Sequence, residues 1–362
     1  MTALTIVAHC HPFVVGVDTH ARNHVYAIVD AGNGALIDTQ TFPASAAGIS
    51  RAIAWVSRRT NADTQTLWVI EGAASYGAIL AGTVDTRGYL VAEAPRMSPK
   101  AYRGVGKSDV LDAHRIATAT LPLDTEKLSR PRLNEGIRQS LRILVTARTS
   151  MSKDRTRSVN ALNALVRTNS LGIDARRKLT GSQMQEISRW RERDEELSLS
   201  VARSEAVRLA KHVLELDEQL SCNEKALDDL VTVSEAAPLL EETGIGVVTA
   251  AKCFVAWSHE GRVRDEAAFA CLAGVNPIPA SSGNTTRHRL NRGGDRALNS
   301  ALHLAAVVRM THDEQTRAYV EKRRAEGKTD KEIRRCIKRY LARRIFRILS
   351  NSVKSQRAQN AA

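Results

Sequence analysis

The pattern of apolar residues changes once, sharply, along this chain, and that change limits the folds open to it. In the first third, short β-rich runs alternate with segments of helical period. VVGVD (Val14–Asp18) and VYAIVD (Val25–Asp30) read as strands separated by the polar THARNH, and ALIDTQTF (Ala35–Phe42) follows the Gly-containing turn AGNG. Ser45–Arg59 predicts a helix, with Ile49, Ile53 and Val56 at spacings of four and three. LWVIE (Leu67–Glu71) predicts a buried strand, Ser75–Thr86 a helix, YLVAE (Tyr89–Glu93) a strand, and Ser108–Thr118 a helix that Ser108 can cap. The order β-β-β-α-β-α-β-α predicts a mixed sheet with helices packed on it, an α/β layer architecture.

After Pro131 the strand patterns stop. Ile137, Leu141, Leu144 and Met151 step by four, three and seven, with Arg148 interrupting the series. Val213, Leu216, Leu220, Leu227 and Leu230 step by three, four, seven and three, with Asn223 in the open position. Both are heptad-like and predict long coiled-coil helices, forming a hairpin or a dimer seam. A polar residue in such a seam either fixes register or faces nucleic acid, and KDRTR (Lys153–Arg157) reads equally well as a solvated flank. From Pro238 the composition shifts again. ETGIGVVTAAKCFVAW puts a Gly-x-Gly turn before an apolar helix, in the manner of a helix-hairpin-helix element. Its backbone amides at Gly244–Gly246 can approach a phosphate, although Gly turns also open many ordinary helices. The expected division is a sheet domain over 1–125, a helical linker or dimerisation region over 126–236, a mostly helical domain over 237–350, and a flexible tail over 351–362.

Charge points to the class of partner. The 362 residues carry a formal net charge of +14. Over Arg287–Arg347 eighteen Lys/Arg face seven acids, so most of the excess sits there. A polyanion is the expected partner, and with aromatics at only 4% its bases are not held mainly by stacking. The segment KEIRRCIKRYLARRIFRIL is amphipathic, with Ile333, Ile337, Leu341, Ile345 and Ile348 on one stripe, which fits either a membrane surface or a protein core. No apolar run is long enough to span a membrane, and the start has no basic region ahead of an apolar one, so no signal peptide is read. Five scattered cysteines without a CxxC argue against a disulfide framework or a structural zinc. The expectation is a cytoplasmic protein that meets nucleic acid.

Four acids stand out by position. Asp18 and Glu71 end apolar strands, and Asp109 and Asp112 lie one turn apart at a helix start. Brought together, they repel unless a divalent cation sits among them, and hard oxygen donors suit Mg²⁺ or Mn²⁺. Such ions can clamp the oxygens of a phosphodiester undergoing displacement. Acids at strand ends and a DxxD on a helix are also commonplace. AYRGVGKS (Ala101–Ser108) resembles a relaxed phosphate-binding loop, but PRMSPK separates it from the preceding strand and Asp109 stands where phosphate charge would go. Lys107 is therefore read as a nucleic-acid backbone contact, as is Arg148. Ser281–Ser282–Gly283 lies in a Pro-rich loop followed by Arg287, Arg289, Arg292 and Arg296. A serine there is an ordinary turn former or a nucleophile with arginines poised around a phosphate.

Taken in order, these segments resemble the DEDD transposases of the insertion sequence 110 family. GVDTH with Asp18, IEG with Glu71 and KSDVLDAHRIA with Asp109 and Asp112 look like the signature of a RuvC-like, RNase H-fold domain. TGIGVVTAA, FACLAGVNP, the SSG loop and NRGGDRALNSAL look like the family's C-terminal transposase domain. The resemblance implies DNA recombination that excises and inserts a mobile element. It assigns Mg²⁺ (or Mn²⁺) to the four acids and implies a serine that attacks a DNA phosphate, in a site completed between subunits. Ser282, directly before Gly283, matches that serine better than Ser281. The implied partners are double-stranded DNA, a structured guide RNA in some members, and further copies of the chain as a dimer or tetramer. Arg287, Arg289 and Arg292 are the expected backbone contacts. The rival readings are a RuvC-like Mg²⁺-dependent nuclease without serine chemistry, a non-catalytic nucleic-acid binder, and a P-loop ATPase.

Overall fold

The computed structural model describes residues 5–95, 97, 108–132, 135–174, 176–280 and 288–360. The chain forms two compact units, Met1–Asn134 with Ser258–Arg264, and Glu135–Trp257 with Asp265–Ala362.

The first unit is built on a five-stranded sheet. Its elements are α1 (Val7–Cys10), β1 (Phe13–Thr19), β2 (Asn23–Asp30), β3 (Leu36–Pro43), α2 (Ala46–Arg59), β4 (Leu67–Ile70), α3 (Ala78–Thr86), β5 (Leu90–Glu93) and α4 (Asp109–Thr120). The predicted order of strands and helices is present, and the sheet runs β3-β2-β1-β4-β5. β1 pairs antiparallel with β2 and parallel with β4, so the sheet is mixed. β1 and β2 are central and buried on both faces, which is why they read as continuous apolar runs. Alternation sorts β1 between two cores. Val15 and Val17 join Tyr26, Phe42, Trp55, Trp68 and Tyr89 beneath α2 and α3. Val14 faces the other way, with Val29, Val69, Ile116 and Ala117. These aromatic rings are spent on packing, with Tyr26 5.7 Å from Phe42 and 6.2 Å from Trp68.

The second unit is helical apart from one short ribbon. It contains α5 (Gly136–Thr168), α6 (Gly181–Ser188), α7 (Leu197–Thr232), α8 (Val247–Trp257), α9 (Glu266–Leu272), β6 (Ile278–Pro279), β7 (His288–Arg289), α10 (Arg296–His312), α11 (Glu314–Ala325) and α12 (Asp330–Asn360). The helices α5 and α7 form an antiparallel pair within the chain. Arg148 bonds to Leu220 O at 2.9 Å and to Glu224 at 2.7 Å, while Asn223 Nδ2 donates to Leu144 O at 3.1 Å. Arg155 pairs with Asp217, seven residues further along one helix and seven back along the other. The two polar interruptions of the apolar series thus meet each other. The Arg148 guanidinium is thus engaged by the facing helix, as a polar residue that fixes register would be.

The basic amphipathic segment lies on α12, and its stripe of Ile333, Ile337, Leu341 and Ile345 is buried in the unit. Several of its arginines face inward partners. Arg343 and Arg347 hold Glu266 of α9, and Arg344 joins Arg309 of α10 on Glu242. The segment expected to be a flexible tail continues this helix as far as Asn360. Among the described residues no helix is long and apolar enough to cross a membrane.

Candidate functional site

In the first unit the site grows from the C-terminal end of β1. Parallel strands present their carboxyl ends to ligands because the helices that follow them leave a crevice there. Asp18 is the last residue but one of β1, on the face shared with Val14 and Gly16, the face that α4 covers. The approach of α4 is close because position 16 has no side chain: a Cβ there would lie 2.1 Å from Ala113 O and 2.6 Å from Ala117 N. One turn back along α4 from Ala113 is Asp109, and two residues along β1 from Gly16 is Asp18. Both steps span about 6 Å, so the packing carries Asp109 to Asp18.

His20 joins them. Its Nε2 lies 3.0 Å from Asp18 Oδ2 and 3.8 Å from Asp109 Oδ2. Nε2 has two uses here: protonated it donates to Asp18, and without that proton its lone pair faces the same space as the two carboxylates and can take a cation. One ligand atom from each of Asp18, His20 and Asp109 lies within 4.8 Å of the others, and among the described residues no other His/Cys/Asp/Glu set meets that condition. Two carboxylates converging on one imidazole make a donor set that fits a divalent cation. A groove of about 340 Å³ opens beside it, lined by His20, Arg22, Asn23, Thr41, Ser108 and Asp109. Ser108 caps α4, accepting from Leu111 N at 3.3 Å, as its position predicted.

The other two acids stand apart from this set. Glu71 follows β4 directly; its N–H donates to Val17 O at 2.9 Å and its carbonyl accepts from Thr19 Oγ1 at 2.8 Å. Its backbone ties the two strand ends together, and the residue is exposed. Asp112 turns to Arg115, with Arg115 Nη1 2.8 Å from its Oδ1. His20 was missed in the sequence because it read as part of a polar connection. The available signal was its place two residues after Asp18, which puts both on one face of an extended chain. Next to it, His24 is 1% exposed, its Nδ1 has no hydrogen-bond partner among the described residues, and burial holds its pKa below the ordinary histidine value.

In the second unit the serine loop has a well-defined stem. Ile278 pairs with Arg289 and Pro279 with His288. Below that ribbon Asn291 Nδ2 donates to Asn276 Oδ1 at 2.6 Å, and Asp295 N donates to Leu272 O at 2.7 Å. Here the two stem segments cross backbone to backbone. Gly274 has φ +64, and a Cβ on it would meet Gly293 O at 2.3 Å; Gly294 has φ +94, with Leu272 O at 2.6 Å. The glycines of FACLAGVNP and NRGGD therefore serve one crossing. Arg289 and Arg292 are exposed on this stem. Ser281, Ser282 and Arg287, like Lys107 and most of the phosphate-loop lookalike, lie outside the described residues.

The Gly-x-Gly turn before α8 has a different account. A Cβ on Gly244 would come within 2.8 Å of Ala305 O, so this glycine lets the turn pack on α10. The groove there, about 560 Å³, is lined by Glu224, Glu241 and Glu242 among others, a charge that opposes a phosphate.

Comparison with known proteins agrees with the order of these segments. A family model described as a transposase, of the DEDD type named for IS110, matches residues 15–169. Another, described as the transposase of the IS116/IS110/IS902 family, matches residues 236–321. The chain is similar to the insertion element IS900 uncharacterized 42 kDa protein of Mycobacterium paratuberculosis, 26% identical over 370 residues, which cover 88% of this chain and 90% of that protein. It is 24% identical over 364 residues to the insertion element IS116 uncharacterized 44.8 kDa protein of Streptomyces clavuligerus, covering 86% of this chain and 88% of that one. A shorter match, 32% over 123 residues, is to the insertion element IS110 uncharacterized 43.6 kDa protein of Streptomyces coelicolor, covering 33% of this chain and 30% of that one.

Proposed function

The chain belongs to the IS110 family of transposases, and from that premise we propose that it excises and inserts a mobile DNA element by cleaving and rejoining DNA strands. The observation that carries the reading is the convergence of Asp18, His20 and Asp109 at the end of a central strand. With acids at strand ends on a mixed sheet, the first unit is read as RNase H-like, its catalytic part spanning 1–125. The helices over 126–236 are read as the assembly region of a dimer or tetramer, and 237–350 as the part that carries the serine.

In this reading Asp18, Glu71, Asp109 and Asp112 would hold divalent cations, Mg²⁺ or Mn²⁺, with His20 joining Asp18 and Asp109. Such a cation supplies positive charge to a phosphate in displacement. Ser282 Oγ attacks the phosphorus; the Oγ–P bond forms, the phosphodiester P–O bond breaks, and the departing strand leaves as a hydroxyl. Arg287, Arg289 and Arg292 offset the charge that develops on the phosphate oxygens. Rejoining is the reverse attack by a strand hydroxyl on the phosphoserine. A structured RNA that selects DNA by base pairing suits a chain whose excess charge is directed at backbones and whose first-unit aromatics are buried.

The test follows excision in cells that carry the gene with its flanking DNA, using wild type, Ser282→Ala and Asp109→Asn. The readouts are the circular element junction and a protein–DNA covalent adduct. Wild type is expected to give both and each variant neither. If Ser282→Ala still forms the junction while Asp109→Asn does not, the serine assignment is wrong and the chain is a metal-dependent nuclease of the RuvC type.

A further inference from the structure

One cluster of cations in the second unit has no part in the site above. Lys338 of α12 is 8% exposed, and its Nζ donates to Asn299 Oδ1 of α10 at 2.6 Å. Among the described residues no carboxylate pairs with it. Arg334 lies one turn earlier on α12, and its Nε is buried without a hydrogen-bond partner among the described residues. The acid one turn before Arg334, Asp330, is gripped by Arg324 through both oxygens, at 2.8 and 2.9 Å. His303 lies one turn after Asn299 on α10 and is in electrostatic reach of both Lys338 and Arg334. The Asn299–Lys338 bond therefore fixes a two-by-two face: Asn299 and His303 on one helix against Lys338 and Arg334 on the other.

An ammonium withdrawn from water beside a second cation is costly unless an anion compensates it. Burial and Arg334 hold Lys338 below the usual lysine range, in keeping with an uncompensated charge. The position of the face narrows the choice of anion. Asn299 also donates through Nδ2 to Ala273 O at 2.6 Å, beside the Gly274–Gly293 crossing, so the cluster adjoins the stem of the serine loop.

We propose that Lys338, Arg334 and His303, edged by Asn299, form a seat for one backbone phosphate of a bound nucleic-acid strand. The proposal rests on the reading that the chain handles nucleic acid. The seat registers the strand against the serine stem: Asn299 holds the stem with its nitrogen and Lys338 with its oxygen, leaving the other ammonium protons for the phosphate. DNA and RNA offer the same phosphodiester, and the experiment separates them.

Full-length protein is titrated with a labelled DNA duplex and, separately, with a single-stranded RNA, across a range of KCl concentrations. The variants are Lys338→Gln, which keeps a donor for Asn299, Arg334→Gln, and the charge-matched control Lys225→Gln on the exposed side of α7. Loss of one phosphate contact lowers the slope of log affinity against log salt by about 0.9 on duplex and about 0.7 on single strands. Lys338→Gln and Arg334→Gln are each expected to do so on at least one nucleic acid, which identifies the source, and the double variant to add little. A merely structural Lys338 changes melting temperature and leaves the slope alone. If neither variant lowers the slope more than Lys225→Gln, the seat does not exist; if wild type binds neither nucleic acid, the underlying reading falls with it.

Discussion

Gly16 and Ala113 are in contact through backbone alone: the Cβ that any other residue would bring to position 16 falls 2.1 Å from Ala113 O. This contact sets the height of α4 over β1, and through it the distance between Asp18 and Asp109. Gly16→Ala must push the helix away, because a helical carbonyl cannot yield as a flexible side chain would. The expected cost is about 1–3 kcal/mol, as for overpacking elsewhere, read as a lower urea midpoint for the first unit. Excision should fall as far as in Asp109→Asn even where the variant remains folded. A fully active Gly16→Ala protein would show that the close approach is not what positions the acids.

His20 offers a sharper test of the metal reading, since removing it leaves both acids in place. With the imidazole as a ligand, His20→Ala should weaken Mn²⁺ binding by at least about 10-fold, the scale at which metal sites respond to loss of a supporting group. Titration followed by Mn²⁺ electron paramagnetic resonance measures this without reference to activity. Unchanged binding would make His20 a hydrogen-bond partner of Asp18 and nothing more.

Much of the first unit was legible because its signals are local. Ser45 caps α2 through Gly48 N, and β1 extends one residue beyond each end of its apolar run. The strand order β3-β2-β1-β4-β5 was not, since it depends on which buried faces meet. The acids were found by position, but which of them converge depends on Gly16, whose role is visible only once α4 lies across it. Arg148 and Asn223 show the same limit. Each stood out alone as an interruption of a heptad series, and neither sequence stretch names the other as partner. The helix proposed from Ser75 begins at Ala78, after Gly72 turns the chain with φ +63.

Cys253 gives a probe of the second unit's core. It is wholly buried on α8, and burial pushes its thiol up to about 12, so at neutral pH it is a protonated thiol with no access to reagent. Cys222 and Cys271 are exposed. An aromatic disulfide reagent should label those two promptly and Cys253 at least about 10³-fold more slowly, through opening of the fold. Labelling of Cys253 at the rate of Cys271 would mean that α8 is not seated as described.

Acid should loosen the joint between α9 and α12 before the cores fail. Glu266 is held by Arg343 and Arg347, one turn apart on α12, and these hydrogen bonds bring its pKa down to about 2 from an ordinary 4.5. A carboxylate whose folded pKa is depressed binds protons more weakly than in the unfolded chain, so its stabilisation is complete above the unfolded value and is lost as pH falls toward the folded one. Glu266→Gln should therefore lower the melting temperature of the helical unit by a few degrees above about pH 5. The gap from wild type should shrink between about pH 4.5 and pH 2 and vanish below it, because wild-type Glu266 is then as neutral as glutamine. Thermal melts followed by helical circular dichroism at stepped pH measure that gap. A gap that stays constant down to pH 2 would mean that the two arginines hold α12 on α9 without drawing on the charge of Glu266.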